Sequence, residues 1–271
     1  MTGQQIRVGI IGADTKASWA SASHIPALAA QPDLVLAAVA TRHEDSARAA
    51  AEAFGAERWF SDPLEMIADP SIDVITVAVK VPAHRDLVLA ALGAGKAVYS
   101  ESPLGATLEE TEEMAAAAGS LHTAIGLQGA LNPSVRRAAE IIAGNGLGRV
   151  LSARVTATTF GNGPESLTAY EYFDKAAAGA GFMQIAVGHV LQVIETVLGD
   201  ITDIDARTEF LWPEVKLADT GETTVREVPD HLDAIVKTAS GAPVSIQVLA
   251  GVPVPDAAFH LEVRGMEGGS G

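Results

Sequence analysis

Apolar and polar positions follow two different rhythms along the chain, and the change between them falls near residues 126–132. In the first part, short apolar runs are separated by stretches with helical spacing. Val8–Ile11, Leu34–Ala40, Ile72–Val79, Val98–Ser100 and Leu121–Gly126 read as buried strands. Ser23–Gln31, Glu44–Phe54, a segment opened by Asp62-Pro63, Arg85–Leu92 and Thr107–Ala118 read as helices. Asp62 is a good cap, and Pro63 suits the first helical position. Thr107 followed by Glu110 forms a capping box. Such alternation predicts βαβ units and an α/β domain built on a doubly wound parallel sheet.

The second rhythm begins after one more helix, Pro133–Ala143, which is closed by Gly144-Asn-Gly-Leu-Gly148. From Val150 the pattern becomes β-like over Leu151–Thr159, Ile201–Phe210, Thr223–Val228, Leu232–Thr238, Val244–Ala250 and Phe259–Val263. A nearly all-apolar helix, Gly181–Leu198, interrupts it. The expectation is a second, α+β domain with a mostly antiparallel sheet carrying a helix on one face. The domains are set at residues 1–127 and 128–271. The glycine-rich end, Gly268–Gly271, reads as linker-like.

Composition narrows the picture. With 48% hydrophobic and 19% charged residues the chain can bury a sizeable core. A net charge of −16 argues against nucleic acid or an anionic membrane surface as partner. Cysteine is absent, so disulfides and thiolate metal sites are excluded. No apolar run is long enough to span a bilayer, and Met1–Gln5 shows no secretory signal, so a soluble, cytoplasmic protein is expected. No metal site is expected, because the acidic residues Asp200, Asp203 and Asp205 lack calcium-loop spacing.

Candidate chemistry starts where the first strand meets Gly12. A strand that breaks at glycine and leads to a helix N-terminus seats a dinucleotide pyrophosphate. Gly12 takes the first place of G-x-G-x-x-G, while Asp14 and Ala17 stand at the next two. Ala13, Thr15 and Trp19 complete a long turn over the expected phosphates. Thr41-Arg42 follow the second strand with no preceding acidic residue, which favours NADP over NAD. Val79, Lys80, Val81 and His84 leave one strand at its carboxyl end, and Glu101-Ser102 leave its neighbour, so these are further expected cofactor contacts. His189 lies on an apolar helix, where a core role competes with catalysis. For Asp230-His231 a turn or cap role outweighs an acid–base one.

Several segments recur in one order: VGIIG…HIPAL, DVITVAV…PAHRDLVLAALGAGKAVYSESPL, GLQGALNP…IIAGNGLGRV, and a glycine-rich run ending in Gly188-His189. Over nearly its whole length the chain resembles the Gfo/Idh/MocA family. The resemblance implies a Rossmann domain joined to an open-faced α/β domain, a bound dinucleotide, and oxidation or reduction of sugars and cyclitols. Trp19, the Leu127-Gln128-Gly129 triplet and Val228-Pro-Asp-His-Leu232 resemble the branch that includes the fungal galactose-regulon repressor, which works by gripping an activator protein. Gln128 thereby joins the expected cofactor contacts.

Two departures bear on mechanism. The family motif E-K-P, whose lysine acts near the hydride-transfer centre, reads Glu101-Ser102-Pro103, and D-x-G-x-H reads Ile185-Ala-Val-Gly-His189. Hydride transfer at a secondary alcohol carbon needs a group that exchanges the hydroxyl proton. Ser102 cannot do this alone, which leaves His189 with Lys80 as the catalytic candidates and Lys175, Tyr170 or Tyr172 as substitutes. The expected function is therefore an NAD(P)-dependent oxidoreductase for a sugar, polyol or related carbonyl compound. The alternative is an NADP-binding regulator acting through a protein partner. A short second sheet leaves an unpaired edge, so dimerisation through it is expected.

Overall fold

The apolar runs of the first half form one parallel sheet in the computed structural model, which describes residues 5–16, 18–252 and 258–270. The chain divides into two units, one ending at Gly126 and the other beginning at Leu127.

In the first unit the chain runs through β1 (Ile6–Ile11), α1 (Ile25–Ala29), β2 (Leu34–Ala40), α2 (Glu44–Phe54), β3 (Arg58–Phe60) and α3 (Pro63–Ala68). It continues through β4 (Val74–Val77), α4 (His84–Gly93), β5 (Ala97–Glu101), α5 (Leu108–Ala118) and β6 (Thr123–Gly126). The strands lie in the order β3-β2-β1-β4-β5-β6 and every pairing is parallel. Side chains of successive strand residues point to opposite faces, so each strand feeds two helix layers. Val8, Ile10 and Val39 pack with Ala50 and Ala51 of α2 on one face. Ile11, Ile75 and Val77 pack with Met66, Val88 and Met114 of α3, α4 and α5 on the other. The strand order reverses between β1 and β4, which is where doubly wound sheets open a crevice for ligands.

The helix expected over Ser23–Gln31 takes another form. A π-helical turn, Ala20–His24, precedes the short α1. The Ile25 N–H reaches back five residues to Ala20 O, and Pro26 has no N–H with which to continue a regular ladder. Both predicted caps are present. Asp62 accepts from Leu64 N at 2.8 Å, and Thr107 accepts from Glu110 N at 3.2 Å. Glu110 reaches back to Ala106 N at 2.8 Å rather than to the cap residue itself.

The second unit contains α6 (Pro133–Ala143), β7 (Val150–Thr159), β8 (Glu165–Ser166), α7 (Gly188–Leu198), β9 (Ile201–Glu209), β10 (Glu214–Leu217) and β11 (Thr223–Val225). It ends in β12 (His231–Thr238), β13 (Pro243–Ala250), β14 (Phe259–Gly265) and β15 (Gly268–Ser270). Six strands form a sheet in the order β15-β14-β7-β13-β12-β9, antiparallel except for the β7–β13 pair. In β12, Leu232, Ala234 and Val236 are buried while Asp233, Ile235 and Lys237 are exposed. The buried face packs on α6 and α7. A second π-turn, Met183–Val187, opens the segment expected as the continuous helix Gly181–Leu198.

The glycine-rich end is corrected. Rather than a linker, Gly268–Ser270 forms β15 and pairs antiparallel with β14, because backbone ladder bonds need no side chain. A small sheet, β11-β10-β8, was not visible as such in the pattern, since its strands are short.

Candidate functional site

The carboxyl ends of β1, β2, β4 and β5 carry the expected dinucleotide contacts of the first unit. Gly12 has φ +97°, and a Cβ there would come within 2.3 Å of Ala78 O. Only glycine lets β1 turn there while lying so close to the end of β4. The loop that follows is held by two side chains. Asp14 Oδ1 accepts from Lys16 N at 2.6 Å, and Ser18 Oγ accepts from Asp14 N at 3.0 Å and Ser21 N at 3.1 Å. Asp14, in a place where glycine was expected, thus forms an Asx-type turn that replaces glycine's local freedom. Ala13 is buried, Thr15 is exposed, and Trp19 is 52% exposed. Ala17 lies outside the described residues.

At the end of β2, Thr41 Oγ1 lies 2.6 Å from Ser46 Oγ and ties the strand to α2. Arg42 is exposed and makes no ion pair among the described residues. Beyond β4, Val79 is half-buried, Lys80 is exposed and Val81 is buried. His84 needs correction as a ligand contact. Its side chain is fully buried, with Nδ1 3.0 Å from Pro103 O and Nε2 3.0 Å from Val79 O. The ring therefore ties the loop after β4 to the loop after β5.

Glu101, the last residue of β5, has an unexpected partner. His24 Nε2 lies 2.6 Å from Glu101 Oε1, with the two side chains 15% and 14% exposed. The His24 ring meets Tyr99 edge-on, with centroids 5.1 Å apart. Burial, and then the Glu101 charge, hold the Tyr99 hydroxyl above its ordinary pKa. A Cβ on Gly126 would lie 2.8 Å from Glu101 Oε2 and 2.9 Å from Tyr99 Oη, so this glycine makes room for both groups. The sequence reading missed His24. The one signal was its place at the end of the first loop, where an apolar helix face was expected instead. Ser102 follows Glu101 and is half-buried.

In the second unit, Gln128 begins the 3-10 turn Gln128–Leu131. His189 is the second residue of α7 and lines a cavity of about 960 Å3 together with Asn132, Arg137, Phe259 and His260. Of the suggested substitutes, Lys175 donates to Thr224 Oγ1 at 2.9 Å and pairs with Glu171 and Glu227 at 3.6 and 3.8 Å. Burial pushes the Tyr172 hydroxyl up to about 12, which unfits it as an acid or base near neutrality. Asp230 is structural and fully buried. It accepts from Leu211 N at 2.7 Å and Trp212 N at 2.8 Å, and its other partner is Arg226. Neighbouring His231 turns instead to Asp233, 2.8 Å away. Among the described residues no three His, Asp or Glu side chains gather as a metal-binding group, and no helix is long and apolar enough to cross a membrane.

Known proteins match both units. Residues 6–128 match the oxidoreductase family with an NAD-binding Rossmann fold, and residues 133–269 match the Gal80p C-terminal domain. The chain is 30% identical to the dehydrogenase aclE of Aspergillus oryzae, across 98% of this chain and 76% of that one. It is 28% identical to the galactose/lactose metabolism regulatory protein GAL80 of Kluyveromyces lactis, across 97% of this chain and 62% of that one. A levoglucosan dehydrogenase solved with NADH and L-sorbose superposes with a TM-score of 0.89 at 27% identity, over 98% of this chain and 72% of the other. The relatives thus include both sugar dehydrogenases and a regulator. With both units matched and the parallel-sheet order in place, the chain belongs to the Gfo/Idh/MocA oxidoreductase family, in its branch with a Gal80-type second domain.

Proposed function

We propose that the chain is an oxidoreductase that moves a hydride between NADP, with NAD as the alternative, and a sugar, polyol or related carbonyl compound. Gly12 carries this reading. The place where its Cβ would strike Ala78 O leaves bare backbone at the reversal of strand order, which fits a pyrophosphate. The amides around Ala13 and Thr15 would hold the phosphates, and Trp19, Val79, Val81, Glu101, Ser102 and Gln128 would be further contacts. The exposed Arg42 beside Thr41, which makes no ion pair among the described residues, supports a 2′-phosphate over a bare ribose. The relatives named as dehydrogenases support the reaction class, and the NADH bound to levoglucosan dehydrogenase supports the coenzyme type.

When bound, the nicotinamide supplies the hydride acceptor or donor. The chain's own residues must then exchange the hydroxyl proton, and His189 and Lys80 are the candidates that the sequence alone offers. A cytoplasmic homodimer joined through the second unit's sheet belongs to this reading, and the charge of −16 accords with the lack of a nucleic-acid partner.

The test is titration of the purified chain with NADPH and NADH, read by tryptophan fluorescence, followed by a panel of sugars and polyols. NADPH binds more tightly, and Arg42→Ser weakens it about tenfold or more, as expected for a lost charge-assisted phosphate contact, while leaving NADH unchanged. No signal with either coenzyme defeats the reading. Ser102 and Ile185 favour a second reading, a regulator that binds coenzyme without turnover and acts through a protein partner, and a relative named as a regulatory protein supports it. Tight coenzyme binding with no reaction across the panel selects it.

A further inference from the structure

We propose that His24, oriented by Glu101, is the acid–base group that takes the substrate's hydroxyl proton where the motif amine is replaced by Ser102. This rests on the oxidoreductase reading. The pair sits at the carboxyl end of β5, one residue before the serine. Glu101 Oε1 at 2.6 Å fixes the proton of the imidazole on Nε2 and leaves Nδ1 as the basic nitrogen. Among the described residues, Nδ1 has no hydrogen-bond partner. Nor is it sealed from solvent, because the buried unpartnered side-chain atoms are Thr158 Oγ1 and His231 Nδ1. A carboxylate that orients an imidazole and stabilises its protonated form is the arrangement general-base catalysis requires.

Three features support a designed geometry. The π-turn Ala20–His24 aims the ring at the end of β5, and such turns recur at functional sites. The edge of the ring against Tyr99 limits its rotation. Gly126 leaves the volume that Glu101 Oε2 and Tyr99 Oη occupy. Among the described residues, the titratable groups seen in contact with the ring are Glu101 and Tyr99, both from β5. In the oxidation direction the alcohol C–H bond breaks and its electron pair leaves with the hydride to the oxidised nicotinamide. The O–H bond breaks as the proton passes to His24 Nδ1, and a C=O bond forms. The pair goes from neutral imidazole with carboxylate to imidazolium with carboxylate, and the proton later leaves to solvent.

The experiment is calorimetry of coenzyme binding across about pH 5–8, the span in which imidazoles change charge. It is run in buffers of different ionisation enthalpy for the wild type, His24→Gln and Glu101→Gln. The positive oxidised nicotinamide disfavours imidazolium, so within that span the wild type releases protons on binding the oxidised coenzyme and His24→Gln does not, with affinity within about threefold. In turnover, His24→Gln lowers kcat/KM for the alcohol by about 100-fold or more and removes the acid limb of its pH profile. Adding Ser102→Lys to His24→Gln restores part of the rate. Equal proton counts in wild type and His24→Gln overturn the inference while leaving the oxidoreductase reading intact. Coenzyme binding without turnover in the wild type overturns it in favour of the regulator, and no coenzyme binding at all overturns both.

Discussion

Arg226 is the cation between two carboxylates in the interior of the second unit, and removing it gives a large, readable effect. Its side chain is 1% exposed, against 3% for Asp174 and 0% for Asp230. Nε donates to Asp174 Oδ1 at 2.7 Å, Nη1 to Asp230 Oδ2 at 2.9 Å and Nη2 to Gly163 O at 2.9 Å. These contacts hold the segments around the small β11-β10-β8 sheet to the start of β12. Arg226→Met keeps much of the side chain's bulk but leaves two buried carboxylates facing one another without the guanidinium. Breaking a buried pair this way costs about 3–5 kcal/mol. Asp230 keeps two backbone amides, so most of the penalty falls on Asp174.

The assay is urea unfolding, read by Trp212 fluorescence with Trp19 and Trp59 replaced by Phe. With a urea slope of about 2–3 kcal/mol/M, the midpoint falls by about 1–2 M at pH 7. A second substitution, Asp174→Leu, recovers at least half of the loss, because an apolar replacement of the whole pair is tolerated better than half a pair. A midpoint shift below about 0.4 M, or a double variant no more stable than Arg226→Met alone, refutes the reasoning that uncompensated charge is the cause.

Other expectations follow from single sites. Gly12→Ala loses at least about 2 kcal/mol of stability and coenzyme affinity together, since the backbone has φ +97° and the methyl meets Ala78 O; thermal unfolding and fluorescence titration measure the two losses. Asp69 is held down to about 2 by its hydrogen bond from Arg58 and then by Ser71. It therefore stabilises the fold above about pH 4, and that share is lost as the pH falls through about 2; urea midpoints of wild type and Asp69→Asn diverge above pH 4 and converge toward pH 2. Asp62→Ala removes the α3 cap and lowers stability by about 1 kcal/mol, measured by urea unfolding, with coenzyme affinity unchanged.

The strands and helices of the first unit were legible because burial on both sheet faces writes itself as uninterrupted apolar runs, as in Leu34–Ala40, and because caps such as Asp62 and Thr107 mark starts. Period-two burial made β12 and β13 equally plain. Short pairings were hidden: β3, β8 and β10 bury too few side chains to form a pattern, and β15 is held by backbone alone. The positions of Gly12, Arg42 and Glu101 at or just after strand ends were readable, because each closes or follows an apolar run. His24 was not, because the bond to Glu101 joins residues 77 positions apart. Arg226 and Asp174 were also unreadable, since a charged residue in a sequence gives no sign that it will be buried. His84 shows the converse, a residue with the right address at a strand end whose ring serves the backbone.

The π-turns at Ala20–His24 and Met183–Val187 make residue count, rather than residue type, the sensitive variable beside two histidines. Each winds one more residue into its loop than an α-turn would, and each residue of an α-helix advances the direction of its side chain by about 100°. Deleting one alanine from the first turn would swing His24 away from Glu101 with no change of side-chain type at either residue. An engineer can exchange letters there, but shortening the spelling by one moves the imidazole off its carboxylate.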